Sequence, residues 1–290
     1  MKRKHSRKNL ALTVCLALIL FSGLALILYP TVSDLWNSRH QSLAIASYVE
    51  TVDALDEETY TGLWSAAKAY NAALPRDDSR FEPDESSQEL YNSLLDVSGS
   101  GIMGYVEIPS LGVSLPIYHG TDEEVLQVAV GHIQGSSLPV GGDSSHCVIS
   151  GHRGLPSATL FTDLDQLSEG DVFSLHVLGE TLTYEVDQIH IVEPDDISHL
   201  GIEEGKDLCT LITCTPYGVN SHRLLVRGHR VEAGDAPVSS ITADAARINP
   251  NLVAAVMAMP VLLVLVLFVL FRPSRKRKYS CQEVRKDESE

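Results

Sequence analysis

The sequence predicts a mainly β domain, closed into a barrel and held between two transmembrane helices. Short β-rich runs separated by Gly, Pro and Asp turns fill residues 104–231, and an uncharged apolar stretch stands near each end of the chain. Seven or eight short strands with few helices favour one all-β domain that closes into a barrel. About 130 residues are enough to bury a sizeable core.

Each apolar stretch is long enough to cross a bilayer. The first, residues 10–29, follows a basic N-terminus, and the second, residues 251–271, precedes a basic tail. About 20 residues at 1.5 Å each reach about 30 Å, the thickness of the hydrocarbon core. By the positive-inside rule both termini are cytoplasmic, and the segment between the spans lies outside. The alternative for the first stretch is a cleaved signal peptide, but its apolar run exceeds the usual signal core and no small-x-small cleavage site follows.

Basic and acidic residues are distributed unevenly along the chain. Of 22 Lys and Arg, five lie in residues 1–8 and seven in residues 272–290; of 38 Asp and Glu, four lie in the last 19 residues. The middle segment therefore holds 10 basic and 34 acidic residues, a net charge of −24. Nucleic-acid binding needs a basic surface, so this acidity argues against it.

The residue pattern of the segment between the two spans changes along its length. Residues 32–74 repeat apolar positions at three- and four-residue steps, which predicts a helical stalk or hairpin. Residues 75–87 have almost no apolar content and two prolines, which predicts a loop. The expected strands are residues 105–108, 113–118, 147–150, 172–178, 181–191, 208–213 and 224–231, and short helices are expected at 125–130 and 160–167.

The five cysteines do not form a disulfide scaffold. Cys15 lies in the first apolar stretch and Cys281 in the basic tail, which leaves Cys147, Cys209 and Cys214 outside. No Cys or His spacing suggests zinc, and no metal or cofactor is expected. In a continuous strand Cys209 and Cys214 point to opposite faces. A Cys147–Cys209 bond stays open, with burial of both thiols as the favoured reading.

Three chemically active side chains stand at the ends of strand-like runs. Cys214 ends the run 210–213 and opens a Pro/Gly turn, and Arg223 begins the next run nine residues later. His152 follows the run 147–150. A thiol, an imidazole and a guanidinium are the parts needed for acyl transfer through a thioester.

The residues around these side chains carry a family resemblance. Residues 210–214, TLITC, resemble the TLxTC signature of sortases, and the resemblance covers roughly residues 30–275. Four longer runs look like the class C, pilus-assembling branch: TCTPYGVNSHRLLVRG (213–228), GYVEIPSLGVSLPIYHGT (104–121), SLPVGG (137–142) and SGHRGL (150–155).

The resemblance implies an eight-stranded barrel on the outside of a Gram-positive cell envelope. It implies cleavage of an LPxTG-like sorting signal between Thr and Gly, with transfer of the acyl group to a lysine amine of a pilin subunit. By position, Cys214 is the nucleophile, His152 the general acid/base and Arg223 the oxyanion or substrate clamp. The expected partners are LPxTG-bearing pilins or surface proteins and an acceptor amine from a pilin lysine or cell-wall peptide.

Other residues compete for two of these roles. His222 and His229 are rival bases, and His119 and His146 are expected to be structural or to lie at the site edge. Arg227 and Arg230 are rival clamps. Strand alternation puts Arg223 and Arg227 on one face, so only the spacing known from the family separates them.

A lid loop usually precedes the barrel in class C sortases and carries an Asp-Pro-aromatic motif. The matching loop here contains Phe81 and Asp84 but no such triplet, so these two residues are the expected lid contacts. The expected domains are a cytoplasmic N-terminus (1–9), a transmembrane anchor (10–29), an extracellular helical segment (30–74), a lid-like loop and lead-in (75–100), the catalytic barrel (101–233), a linker (234–250), a transmembrane helix (251–271) and a cytoplasmic tail (272–290).

Three other functions stay open at this point. A housekeeping-like sortase would anchor surface proteins to cell-wall peptide with the same catalytic residues. A cysteine peptidase would hydrolyse the thioester, and a membrane-anchored binding module would not catalyse at all. The presence of all three active side chains argues against the last.

Overall fold

The structure is a computed structural model that describes residues 3–74 and 78–232. The predicted linker (234–250), second transmembrane helix (251–271) and basic tail (272–290) lie outside the described residues. Among the described residues one helix, Val14–Asp53, is long and apolar enough to cross a membrane. The compact unit considered below begins at Tyr29.

Two long helices precede the barrel, in agreement with the helical segment predicted for this region. Asp56 caps the second helix: its carboxylate accepts a hydrogen bond from the Thr59 backbone N–H at 2.7 Å. Tyr48 fixes the first helix to the barrel, since its buried hydroxyl donates to the Met103 carbonyl at 2.9 Å. The helices are α1 (Arg3–Asp53) and α2 (Glu57–Ala73), followed later by α3 (Glu85–Ser93) and α4 (Glu123–Leu126).

Eight strands form a closed barrel, which confirms the predicted fold class. The order around the barrel is β1-β2-β3-β4-β7-β8-β6-β5, and β5 pairs with β1 to close it. Closure leaves no unpaired edge strand. The strands are β1 (Ile102–Ile108), β2 (Val113–His119), β3 (Val130–His132), β4 (Ser145–Ser150), β5 (Val172–Val177), β6 (Glu180–Val192), β7 (Asp207–Thr215) and β8 (His222–Val231).

The pairing of β4 with β7 is parallel, and it sets which strand ends become neighbours. Ser145 lies opposite Asp207 and Ser150 opposite Ile212, so both strands end at the same edge of the barrel. β8 pairs with β7 in the antiparallel sense and therefore begins at that edge. The end of β4, the end of β7 and the start of β8 thus form one row.

Alternation along β4, β7 and β8 produces two apolar layers. The side chains of Cys147, Ile149, Leu211, Leu224 and Val226 belong to the main core. Val148, Ile212 and Leu225 alternate with them and point the other way. Together with Val192 of β6 and Leu200 of the β6–β7 connection they form a second cluster on the outer face.

The loop predicted for residues 75–87 is partly helical. A 3-10 turn covers Asp78–Phe81, and α3 begins at Glu85. Asp84 caps α3 by accepting a hydrogen bond from the Ser87 backbone N–H at 2.8 Å. α3 is stable because Tyr91 is buried against the barrel, where its hydroxyl lies 2.9 Å from Nδ1 of His132. A nine-residue helix held by the long-range contacts of one side chain leaves little periodicity in the sequence.

Both short helices predicted from the sequence differ from the structure. The helix expected at 125–130 ends at Leu126, and Val130 begins the three-residue strand β3, which pairs with β2 and β4. Such a short strand is too brief to show a two-residue alternation. The helix expected at 160–167 is instead a 3-10 turn at Leu164–Gln166, and Leu160, the first residue of the expected range, has a non-helical φ of 40°.

Cys147, Cys209 and Cys214 take the faces expected from strand alternation. Cys147 and Cys209 lie opposite each other in the β4–β7 pair, both buried in the main core and both free thiols. Cys214 is half-buried on the outer face.

His146 holds the long β6–β7 connection against the barrel. Its Nδ1 lies 2.8 Å from the Gly201 carbonyl, and its Nε2 lies 2.7 Å from the Thr210 hydroxyl. This pattern suits a neutral ring that donates from Nδ1 and accepts at Nε2. Burial lowers the pKa of His146 to about 4, in spite of the opposing Gly201 contact. The structural role predicted for His146 fits this environment.

The barrel is therefore expected to lose stability as the pH falls from 6.5 towards 4. In this window the unfolded chain protonates His146 and the folded chain does not, so unfolding takes up a proton. This residue should account for a loss of about 2 to 3 kcal/mol in the free energy of unfolding. Urea unfolding of the detergent-solubilised chain at a series of pH values measures it. His146→Gln should flatten this part of the profile, whereas exposed His229→Gln should not; equal profiles in all three proteins would contradict the prediction.

Candidate active site

Cys214 lies at the centre of a row formed by three neighbouring strands. It is the penultimate residue of β7 and stands directly opposite Arg223, the second residue of β8. Side chains that are directly opposite in an antiparallel pair share a face, with Cβ atoms about 5 Å apart. Both side chains are partly accessible at the outer surface.

His152 reaches the same row from the other side of β7. The Gly151 backbone N–H donates to the Ile212 carbonyl at 3.0 Å, and the Thr213 hydroxyl donates to the Gly151 carbonyl at 2.8 Å. The first bond continues the parallel β4–β7 register by one residue past Ser150, and the second is a side-chain bond that holds Gly151 in that position. The next pair in that register is His152 beside Cys214. The backbone register therefore places the residues that carry the thiol, the imidazole and the guanidinium at three adjacent strand ends.

Arg223 and Arg227 lie on the same face of β8, and their contacts distinguish their roles. Arg227 is 9% exposed, and its guanidinium binds Asp187 through Nε and Nη2 at 3.0 and 2.8 Å and Glu203 through Nη1 at 2.8 Å. These carboxylates raise the pKa of Arg227 against the opposing effect of burial. Arg227 thus holds the β6–β7 connection in place.

Arg223 has a different environment. Its Nη1 donates to the backbone carbonyls of Asn220 and His222, at 3.4 and 3.2 Å. Within the described part of the chain no carboxylate forms an ion pair with it. Arg230 lies far away at the other end of β8, where its Nη1 is 4.0 Å from Asp207. Arg223 is therefore the β8 arginine with charge available at the row.

The rival histidines occupy other positions. His222 pairs with Thr215, one residue past Cys214, so alternation turns its side chain to the opposite face. Its Nδ1 lies 2.8 Å from the Ser221 hydroxyl and its Nε2 3.4 Å from Glu193. His229 is exposed and lies opposite Leu208, at the far end of β7. His119 contacts two backbone carbonyls, those of Gly101 and Leu94.

A groove of about 500 Å³ runs along the outer face and reaches Arg223. Its floor is the outer apolar cluster, represented by Ile212 and Leu225, with the polar Ser150 beside them. The β6–β7 connection forms one wall through Ile197 and Leu200. A groove with an apolar floor, polar residues along its walls and a charged side chain at one end suits an extended peptide that carries apolar residues.

The two predicted lid residues have different contacts. Phe81 lines the groove and packs against the outer apolar cluster. Its neighbour Arg80 is 5% exposed and donates from Nη2 to the Leu200 carbonyl at 2.8 Å. Asp84 is exposed, and its carboxylate is engaged in the cap of α3.

Arg153 is a further residue at the site that sequence reasoning did not single out. Its side chain is 8% exposed and forms an ion pair with Asp165. Nη1 donates to the Thr215 hydroxyl at 3.3 Å, and the guanidinium carbon lies 5.9 Å from the ring centre of Tyr217. Arg153 and Thr215 directly follow His152 and Cys214, so this contact braces the two loops against each other. Its position in the SGHRGL run was the available signal.

A thiol, an imidazole and a guanidinium at one edge of a closed barrel are typical of enzymes that transfer acyl groups through a thioester. The model of the Sortase domain matches residues 106–231. The crystal structure of sortase C1 from Streptococcus agalactiae is 51% identical, with a TM-score of 0.63, over 65% of this chain and 98% of that one. The chain belongs to the sortase family, whose members are cysteine transpeptidases.

Two further relatives extend the comparison. An X-ray structure of Clostridium perfringens sortase C with the C-terminal cell wall sorting motif is 42% identical, with a TM-score of 0.56, over 66% of this chain and 99% of that one. Sortase D from Bacillus subtilis (strain 168) is 34% identical over 131 residues, or 44% of this chain and 63% of that protein. The match thus spans less than two thirds of the length of this curated relative.

Arg153→Ala is expected to lower kcat for acyl transfer by roughly 10²-fold. Loss of the brace lets His152 and Cys214 separate, and a misplacement of about 1 Å costs about this much. Arg153→Lys keeps the charge but not the planar fork, so its rate should fall between those of wild type and Arg153→Ala. Product formation at saturating peptide measures the effect.

Arg230→Ala is the matched control for this prediction. Arg230 also lies near a carboxylate, but it is seven residues from Arg223 along β8, roughly 23 Å at the rise of a strand. Its rate should stay close to that of wild type. An equal loss in the two alanine variants would show that a general effect on the barrel, and not the brace, is responsible.

Proposed function

We propose that the chain cleaves an LPxTG-like sorting signal between Thr and Gly and joins the acyl group to a lysine amine of a pilin subunit. The observation that carries the proposal is the row of His152, Cys214 and Arg223 at adjacent strand ends, on the face that also holds a groove with an apolar floor.

Cys214 is the nucleophile in this mechanism. The thiolate is the reactive form of a cysteine, and it attacks the carbonyl carbon of the Thr residue to give a tetrahedral oxyanion. Arg223, directly across from Cys214, stabilises the negative charge as it moves from sulfur to oxygen. Its charge is permanent and its other described contacts are to neutral carbonyls, so it is available for this task.

His152 transfers the protons. When the tetrahedral intermediate collapses, the carbon–nitrogen bond to Gly breaks, and His152 donates a proton to the departing amine. A thioester between Thr and Cys214 remains. A lysine amine then attacks the thioester, His152 accepts the proton that this amine loses, and the thiolate leaves. The products are an isopeptide bond and free enzyme.

The groove is the proposed binding site for the sorting signal. The Clostridium perfringens sortase C named above was solved with a C-terminal cell wall sorting motif, and its similarity to this chain supports a peptide ligand of that kind. The apolar floor around Ile212 and Leu225 matches the Leu and Pro of such a motif.

Two observations favour transfer to pilin over the alternatives: the names of the similar solved structures and the segment that precedes β1. The similar solved structures from Streptococcus agalactiae and Clostridium perfringens are both named sortase C. The Asp78–Phe81 turn and α3 add a segment before β1 that covers part of the groove. A housekeeping-like sortase would transfer to cell-wall peptide instead, and a peptidase would transfer to water.

The domain and membrane assignments belong to the same proposal. We place the barrel on the outer side of the membrane, with the anchor at residues 10–29, a second helix at 251–271 and both termini in the cytoplasm. The apolar helix that contains most of the first span supports one anchor. The basic flanks of the two spans support the orientation.

The test is incubation of the full chain in detergent with an LPxTG peptide and a pilin domain that carries an acceptor lysine. Wild type should form an isopeptide-linked product, and Cys214→Ala should form none. Arg223→Ala should reduce kcat by about 10² to 10³, the usual effect of losing one oxyanion donor. Hydrolysed peptide alone would favour a peptidase, product with cell-wall peptide alone would favour a housekeeping role, and failure to form any thioester would refute all three.

We further propose that residues 78–84 act as a lid on the groove. Phe81 supplies the apolar contact with the outer cluster, and Arg80 ties the segment to Leu200 of the β6–β7 connection. Gly135 permits the close approach, because a Cβ there would stand 2.2 Å from the Arg80 carbonyl oxygen. The Asp84 cap fixes where α3 begins and so where the lid ends.

Phe81→Ala is therefore expected to raise kcat/KM for the peptide by up to about tenfold. Loss of the ring weakens the closed lid, and about 1.4 kcal/mol of weakening changes the open fraction tenfold. Glu82→Ala changes an exposed neighbour and should leave the rate unchanged. An unchanged or lower kcat/KM in Phe81→Ala would mean that this segment does not cover the site.

A further inference from the structure

The loop that carries His152 is bound by side chains of α1. One carboxylate oxygen of Asp34, Oδ1, accepts hydrogen bonds from both the backbone N–H and the hydroxyl of Thr159, at 2.7 and 2.8 Å. Three residues along the helix, Asn37 donates from Nδ2 to the Ser157 carbonyl at 2.8 Å. These contacts join parts of the chain about 120 residues apart. None of the catalytic steps proposed above uses them.

The two side chains belong to one face of α1 that is anchored to the barrel. Asp34 and Asn37 are followed at helical spacing by Gln41, Ala44 and Tyr48 on the same face. Tyr48 is 2% exposed and accepts a hydrogen bond from the Leu178 backbone N–H at 2.8 Å. Asp34 and Asn37 therefore form the N-terminal end of the face by which α1 contacts the barrel. At this end the helix passes the His152 loop.

A short chain of hydrogen bonds links Thr159 to the backbone beside His152. The Thr159 carbonyl accepts from the Thr162 N–H at 2.8 Å, and the Thr162 hydroxyl accepts from the Gly154 N–H at 3.1 Å. The carbonyl of His152 itself accepts from the Phe161 N–H at 3.1 Å. The loop is thus folded back so that Thr159 and His152 belong to one hydrogen-bonded unit.

We propose that Asp34, assisted by Asn37, is a positioning residue for His152. By holding Thr159, Asp34 fixes the orientation of the loop on its outer side, opposite the Gly151 bonds that fix it to β7. This inference rests on the proposed catalytic role of His152. It also means that a soluble fragment beginning after Asn37 would keep the barrel and lose the support of the His152 loop.

The loop does not depend on Asp34 to stay folded. Leu160 and Phe161 are 3% and 1% exposed in the main core, and they hold the loop to the barrel from below. Loss of the Asp34 contact should therefore shift the outer part of the loop without unfolding it. A purely structural role predicts a change in Tm, whereas a positioning role predicts a change in kcat at nearly constant Tm and KM.

The experiment compares four variants of the full chain in detergent with wild type: Asp34→Ala, Asp34→Asn, Thr159→Val and Gln41→Ala. Gln41 is the matched control, because it lies on the same face of α1 and donates from Nε2 to the Val128 carbonyl at 2.6 Å, away from the His152 loop. Asp34→Ala should lower kcat by about 10- to 100-fold with KM within about twofold of wild type. Asp34→Asn keeps an oxygen acceptor at this position and should recover most of the rate.

The double variant Asp34→Ala/Thr159→Val tests whether the two residues act together. If Asp34 works by holding Thr159, the double variant should be no slower than the slower single variant. Multiplying losses would overturn the proposal, as would an unchanged kcat in Asp34→Ala or an equal loss in Gln41→Ala.

A second readout separates this inference from the proposed function. If wild type forms no acyl-transfer product, the proposed function has failed, and the pH dependence of Cys214 alkylation by iodoacetamide then tests the positioning alone. A profile for Asp34→Ala that moves towards that of His152→Ala supports the inference. A profile identical to that of wild type overturns it.

Discussion

Parallel pairing between β4 and β7 is the constraint on which the site depends. It makes both strands end at one edge of the barrel, so a residue just past β4 comes beside a residue near the end of β7. Had the pair been antiparallel, His152 would stand at the opposite edge from Cys214. The Gly151 hydrogen bonds carry this register one residue beyond the strand, and the antiparallel partner β8 completes the row with Arg223.

Along the same three strands, alternate side chains serve different purposes: one set stabilises the barrel and the other forms the site. Side chains such as Leu211 and Val226 point into the main core, while Ile212 and Leu225 point outward and form the groove floor. Closure of the barrel allows this outer face to be apolar without an unpaired strand edge beside it. One wall of the groove is the β6–β7 connection, which His146 and Arg227 bind to the barrel. A rigid floor beside a fixed wall keeps the strand ends in place.

The two arginines on the outer face of β8 also divide between fold and site. Arg227 is neutralised by two carboxylates and serves the fold, whereas Arg223 contacts only carbonyls among the described residues and keeps its charge at the row. The His152 loop lacks strand bonds past Gly151, and its position is instead set by side chains: Arg153 towards β7 and Asp34 from α1. Strands place two of the three active residues, and polar contacts place the third.

The sequence alone was sufficient to predict the β-rich barrel and the apolar first helix, because strand alternation and long apolar runs are local patterns. The TLITC and SGHRGL motifs, which are also local, singled out the three residues of the row. It failed for β3 and α3, which are short and held by distant partners such as His132. Three features follow from the folded structure and from no local pattern: which arginine is neutralised, the brace that Arg153 forms between the two loops, and the contact of Asp34 with Thr159. Such contacts join residues 24 to 125 positions apart, and no pattern of neighbouring residues encodes them.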